Sequence, residues 1–264
     1  MLDNDVSISA AITRRQIQAA IQPVYNVIDN KWHAIEALAR LPDMDTYTLI
    51  TTADRIGMGH AVSLQVLELV VASFKKKPTS ININFSPNQL LHKNVVKSIE
   101  HILTTYQYPP YLVTIELTEA PLDASCYKLM RAIRALKDMS IRLSLDDFGV
   151  EGQSVQRVIE LPLDQLKLDR VLITDINNNP MKQDIVSSII QIATKYGIEI
   201  VCEGVETKQE SDYLTKIGGH LQQGWLWAKP ILLPTQTYNS QLKKEKTPPP
   251  HLIHECRFTV ASEL

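Results

Sequence analysis

The sequence predicts an α/β protein built as an imperfect (β/α)8 TIM-type barrel with an antiparallel first strand. Short apolar, β-branched runs alternate with helical patterns along most of the 264 residues, the signature of strands joined by crossover helices. Eight such runs occur with no composition break to mark a second domain, which favours one closed barrel. Between the first two runs, Asp29-Asn30 leaves room only for a tight turn, so that pair should be a hairpin rather than a parallel pair.

In chain order, IQPVYNV (21–27) and WHAIEALAR (32–40) form the expected hairpin. SLQVLELVVASFKK (63–76) carries apolar residues at three- and four-residue intervals and reads as a helix leading into the strand SININF (80–85). VTIELTE (113–119) follows as a strand, then the helix SCYKLMRAIRALKDM (125–139) and the strands IRLSLDDF (141–148) and QLKLDR (165–170). The helix DIVSSIIQIATKYG (184–197) ends in Lys195 and Gly197, a stop signal. IEIVCEGVE (198–206) and HLQQGWLW (220–227) complete the set. The barrel domain is expected over residues 1–243. Residues 244–264 contain Pro248-Pro249-Pro250 and read as a mobile tail.

Bulk properties remove several function classes. Hydrophobic residues make up 44% and charged residues 21%, ordinary for a water-soluble globular chain. A net charge of -2 offers no electrostatic case for a nucleic acid polymer or an acidic membrane. No apolar run approaches the ~20 residues of a membrane helix, and no signal-peptide pattern opens the sequence. Cys126, Cys202 and Cys256 are odd in number and far apart, fitting neither a disulfide framework nor a zinc site. A cytoplasmic protein is expected.

Barrel active sites lie at the C-terminal ends of the strands. Those ends carry Glu36, Asn84, Glu116 with Glu119, Asp146 with Asp147, Lys167, Glu203 with Glu206, and Gln223. One acid at a strand end is ordinarily a helix cap or solvated. Many acids around one rim would repel each other unless they surrounded cations. An oxygen-only set with a carboxamide, and no convergent His or Cys, favours Mg2+ or Mn2+ over zinc. The adjacent Asp146 and Asp147 would point to opposite faces of a regular strand. Where the strand gives way to its loop, the backbone could turn both toward the rim, each to serve a different metal. Two cations about 3.5–4 Å apart suit phosphodiester hydrolysis, and Lys167 would add a fixed positive charge near the phosphoryl group.

EALAR (36–40), NFSPNQL (84–90), IELTE (115–119), DDFG (146–149), LPLDQLKLD (161–169), EGVET (203–207) and QQGWLWAKP (222–230) together resemble the ordered motifs of the EAL-domain family. That resemblance spans about residues 22–230 and implies a cyclic di-GMP phosphodiesterase that yields linear pGpG, using two Mg2+ or Mn2+ ions and forming a homodimer. It implies that Glu36, Asn84, Glu116 and Asp146 ligate the first metal and that Asp147 serves the second or bridges both. Glu203 would ligate metal or position water, and Lys167 would orient the water or the phosphate. Glu206 and Gln223 would support metal-bound water and the substrate rim, Arg40 would contact a substrate phosphate, and Glu119 would steady the loop after DDFG. A catalytically weak or inactive module that binds cyclic di-GMP or a protein partner is the alternative. An unrelated barrel with enolate chemistry fits the ordered motifs poorly.

Two departures stand out. Where the family reads TGYSS after DDFG, this chain reads VEGQS (150–154), with Glu151 and Gln153 in place of a glycine and a serine. Leu41 replaces the usual tryptophan after EALAR. Other residues have plainer readings: His251 and His254 as a solvated pair in the tail, Lys75-Lys76-Lys77 as a solvated helix end, Cys202 as a small buried hydrophobe and Ser86 as a helix cap. Trp225 and Trp227 alternate on the last strand, fit either for stacking on guanine or for the core.

Overall fold

The computed structural model describes residues 2–118, 126–150 and 155–234. Among them are the strands β1 (Gln18–Asn26), β2 (Lys31–Arg40), β3 (Ser80–Phe85), β4 (Val113–Leu117), β5 (Arg142–Phe148), β6 (Gln165–Leu168), β7 (Glu199–Cys202), β8 (Leu221–Gln222) and β9 (Ile231–Leu232). The α-helices are α1 (Leu2–Thr13), α2 (Thr46–Arg55), α3 (Gly59–Phe74), α4 (Pro87–Leu91), α5 (Val95–Tyr106), α6 (Cys126–Asp138), α7 (Val155–Glu160), α8 (Arg170–Ile173), α9 (Pro180–Lys195) and α10 (Lys208–Ile217). Neighbour order β2-β3-β4-β5-β6-β7-β8-β1, with β1 also bonded to β2, closes the sheet.

The hairpin expected at the start is present. β1 pairs antiparallel with β2, Gln22 opposite Glu36, and antiparallel with β8 on its other edge. Its turn is held by Asn26, whose Oδ1 accepts from the backbone N–H groups of Ile28 and Asp29. Pairs from β2 through β8 are parallel. No helix among the described residues is long and apolar enough to cross a membrane.

Register sorts the side chains into two environments. Ile35, Ile81, Ile83, Phe85, Ile115, Leu117, Leu143, Leu145, Leu166 and Leu168 belong to the main core between strands and helices. On the opposite face of the sheet, Val24, Ala34, Val201 and Leu221 form a separate small cluster, an apolar plug inside the barrel. Above it the interior turns polar, with Asn82, Thr114, Glu116, Ser144, Gln165 and Lys167 all buried. Branched aliphatic residues ordinarily fill barrel interiors. So polar a filling needs a function to account for it.

Ser86 is the cap it was expected to be: it caps α4 in a reciprocal capping box with Gln89. Cys202 is a buried free thiol, and Lys75, Lys76 and Lys77 are exposed at the end of α3. α1 docks through a two-pronged pair from Arg55 to Asp5 at 2.8 and 2.5 Å and a bond from Gln65 to the carbonyl of Ile12.

The last stretch departs from expectation. Of HLQQGWLW only Leu221–Gln222 is strand. Gly224 then passes so close to the next loop that a Cβ there would lie 2.1 Å from the Val205 carbonyl oxygen, and its own carbonyl accepts from Trp227 and Ala228 in a turn. Trp225 and Trp227 therefore do not alternate on a strand. Trp227 stacks on Tyr25 with ring centroids 4.3 Å apart, while Trp225 is exposed beneath Lys229, whose Nζ lies 4.8 Å from the ring centre. The short β9 then bonds to β1 at Ala20 and Ile21. Residues 235–264, with His251 and His254, lie outside the described residues.

Candidate active site

Glu36 within β2, Asn84 and Glu116 near the ends of β3 and β4, Asp146 on β5 and Lys167 on β6 converge with Glu203 and Gln223, which follow β7 and β8. The aspartate doublet reaches the same rim by a local irregularity. Pairing of β5 with β6 steps from Leu145 opposite Leu166 to Phe148 opposite Leu168, so β5 carries one extra residue. Asp147 takes φ 53°, in the left-handed region, which Asp tolerates better than most side chains. A bulge of this kind re-aims a side chain. Asp146 and Asp147 consequently line one cleft.

Lys167 stands at the centre of the acids. Its Nζ lies 2.7 Å from Glu203 Oε1, 2.9 Å from Asp146 Oδ1, 3.0 Å from Glu116 Oε1 and 3.6 Å from Glu36 Oε2, and the side chain is 1% exposed. Asn84 and Gln223 donate from their amides to the two oxygens of Glu36, at 2.9 and 2.7 Å. Asn82 donates to Glu116 Oε1 at 2.8 Å and to Gln165 Oε1 at 2.9 Å. Burial raises the Glu116 carboxyl to about 8, against the pull of Lys167 and with the help of Glu36 and Asp146. Burial and the neighbouring Asp146 raise Asp147 to about 6, and burial pushes Glu203 well up. Glu36 moves down: burial opposes this, but Lys167 and the amides of Gln223 and Asn84 prevail. Burial works against the charge on Lys167, and the surrounding carboxylates overcome it. One ammonium among this many acids leaves the cage short of positive charge.

The donor set fits divalent cations. Asn84 Oδ1, Glu116 Oε2 and Gln223 Oε1 are buried without a hydrogen-bond donor, a costly state that a cation would relieve. Oxygens of Glu36, Glu116 and Asp146 lie within 4.8 Å of one another, and so do those of Asp146, Asp147 and Glu203. The two groups share Asp146. Both are all-oxygen sets, as hard ions prefer.

Glu36, Asp146, Asp147, Lys167, Glu203, Glu206 and Gln223 line the cleft, and Asn84 and Glu116 complete the cage around Glu36 and Lys167. Arg40, at the end of β2, is bonded through Nη1 to the Ala39 carbonyl at 2.8 Å and to Thr46 Oγ1 at 3.0 Å. Glu119 and most of the altered loop, 151–154, lie outside the described residues. Sequence reasoning missed Gln22, Asp169 and Arg170, which also line the cleft. Gln22 escaped because only C-terminal strand ends were read, whereas β1 runs the other way; its place opposite Glu36 could have been counted out from the hairpin turn. Asn82 escaped too, although its alternation with Asn84 in SININF puts both on one face.

The EAL domain family profile matches residues 5–230. RocR of Pseudomonas aeruginosa, a cyclic di-GMP phosphodiesterase, is 32% identical over 155 residues, covering 59% of this chain and 40% of RocR. The chain spans less than half the length of the first curated relatives it matches. Among solved structures, the manganese and cyclic di-GMP complex of BlrP1 from Klebsiella pneumoniae superposes with a TM-score of 0.74 at 27% identity, over 82% of this chain and 56% of that one. The cyclic di-GMP complex of the PaMucR phosphodiesterase gives 0.77 at 25% identity, over 87% and 97%.

Proposed function

This chain belongs to the EAL-domain family, and from that premise we propose that it hydrolyses cyclic di-GMP to linear pGpG with two divalent cations, Mg2+ or Mn2+. The observation that carries this reading is the pair of carboxylate groups that share Asp146 around a buried lysine. Glu36, Asn84, Glu116 and Asp146 would hold one ion; Asp147 and Glu203, with Asp146 shared, would hold the other. Bound there, the ions supply neutralisation of phosphate charge and activation of water for in-line attack.

The chain's own residues do the rest. Lys167, fixed by its carboxylates, keeps a positive charge beside the attacked phosphoryl group. Gln223 and Asn84 hold Glu36 in one orientation through both of its oxygens, so that ligand is set before substrate arrives. Glu206 and Gln223 form the rim over which substrate lies. Arg40 would contact a substrate phosphate, for which guanidinium geometry is suited. An inert, binding-only module would have no need of an intact carboxylate set.

We also propose a homodimer. Met181, Ile185, Ile192 and Tyr196 are exposed at helical intervals along and just beyond α9, and Val155 and Ile159 are exposed on α7, an apolar face of the kind that marks association. The buried free thiol of Cys202 suits a reducing, cytoplasmic setting.

The deciding experiment incubates purified protein with cyclic di-GMP and Mg2+ or Mn2+ and resolves pGpG by chromatography. Turnover should vanish in chelator and in Ca2+, whose longer bonds and higher coordination number suit binding without the right geometry. Equal turnover in chelator-treated protein would overturn the metal reading.

A further inference from the structure

The cleft is lined by six acids, Glu36, Asp146, Asp147, Asp169, Glu203 and Glu206, and among the described residues by two cations, Lys167 and Arg170. Lys167 is 1% exposed and surrounded by carboxylates, so it has no freedom to leave them. Arg170 differs in every respect. Its side chain is 62% exposed, and its one ion pair among the described residues, to the 41% exposed Glu206, is long at 3.7 Å. A solvated pair at that distance is worth little and breaks easily.

The backbone beneath Arg170 is held closely. Gly204 lies at φ 67°, and a Cβ there would sit 2.4 Å from Arg170 Cβ and 3.2 Å from its Cα. The missing side chain at Gly204 lets the start of α8 press against the loop that carries Glu203 and Glu206. Asp169 caps α8, its carboxylate accepting from the Val171 N–H at 2.7 Å. Arg170 therefore has a fixed base and a free head at the cleft mouth.

Position in the barrel gives that head a task. In the strand order, β6, which leads into Arg170, is four places from β2, which ends in Arg40. In an eight-membered ring that is directly across. A cyclic dinucleotide carries two phosphodiesters on opposite sides of its ring. With one of them at the acidic centre, the second anion falls toward the rim and needs a cation there. We infer that Arg170 is a substrate-positioning residue, which exchanges Glu206 for the phosphodiester that is not cut, on the side of the cleft away from Arg40. This rests on the proposed cyclic di-GMP hydrolysis. Guanidinium suits the task because it engages two phosphate oxygens at once, as an ammonium does not.

The test compares wild type, Arg170→Ala and Arg170→Lys on cyclic di-GMP and on bis(p-nitrophenyl) phosphate, which has one phosphodiester. Arg170→Ala should raise KM for cyclic di-GMP about tenfold, as the loss of one charge-assisted contact implies, with kcat within about twofold. The preference for cyclic di-GMP over the single-phosphate substrate should fall by about the same tenfold factor, and Arg170→Lys should restore part of it. An unchanged KM, or equal losses on both substrates, would overturn the inference. Equilibrium binding of cyclic di-GMP in Ca2+, without turnover, separates the two levels. If wild type binds and Arg170→Ala binds equally well, only the role of Arg170 falls. If wild type neither binds nor cleaves, the cyclic di-GMP reading and this inference fall together.

Discussion

At the residue scale, the aspartate doublet shows how one irregular backbone angle makes a site. Asp147 sits at φ 53°, so the charge and the backbone preference of this residue are separable. Asp147→Asn should keep the bulge, because Asn also tolerates the left-handed region, yet lose turnover by about two orders of magnitude or more, on the scale of other losses of electrostatic catalytic groups. Circular dichroism and melting would be near wild type; recovery of normal turnover would show that the second cation does not need this carboxylate. Glu36→Ala should lower kcat further, since it removes a proposed metal ligand and leaves the Asn84 and Gln223 amides without their acceptor. Although Asp169, directly after β6, was passed over, most of the acids were legible because they end or interrupt apolar runs. Gln22 and Asn82 were not, since amides inside strands carry no sign of which face they take until register is known. Arg170 was not, because an arginine just beyond a strand looks like any solvated one.

At the scale of elements, strands were easier to read than their ends. SININF coincides with β3 because its outward Ile81, Ile83 and Phe85 alternate with inward Asn82 and Asn84. The last strand was misread because GWLW is apolar and looks extended; a backbone approach at Gly224 breaks it, and no local pattern announces a tertiary contact. Ile83→Ala on β3 should cost about 2–5 kcal/mol, as for other buried aliphatic truncations, measured by denaturant unfolding. At the base of the barrel, β7 begins at Glu199, which pairs with Arg142 of β5 and lies 3.7 Å from His33 of β2. Burial pushes this carboxyl up, but the hydrogen bonds of His33 and Arg142 and the charge on Arg142 bring it down to about 2. A depressed carboxylate stabilises the fold above its unfolded value near 4.5 and loses that contribution as pH falls toward 2. Glu199→Gln should thus cost about 1 kcal/mol at pH 7, after allowance for solvent screening, and nearly nothing at pH 2. A constant difference across that range would mean the carboxylate charge plays no part.

At the scale of the whole molecule, the barrel topology was legible from alternation and one short turn; the proposed association came only from the family resemblance, since an apolar residue on a helix reads the same whether it faces a core or a second chain. Ile185→Glu together with Ile192→Glu should shift the sedimentation coefficient from dimer to monomer with the melting temperature little changed; a wild type that sediments as a monomer would remove the dimer. Closure itself rests on β1. One edge is satisfied at once by β2, a few residues away, but the other waits for β8 and β9. A ribosome making this chain releases β1 (to Asn26) some two hundred residues before its last partners, from Leu221 on. Through that interval the nascent sheet is an open ribbon with a bare edge, available to any neighbouring strand. Stalled or clipped products that end before Leu221 should therefore be the species that chaperones hold and that aggregates collect.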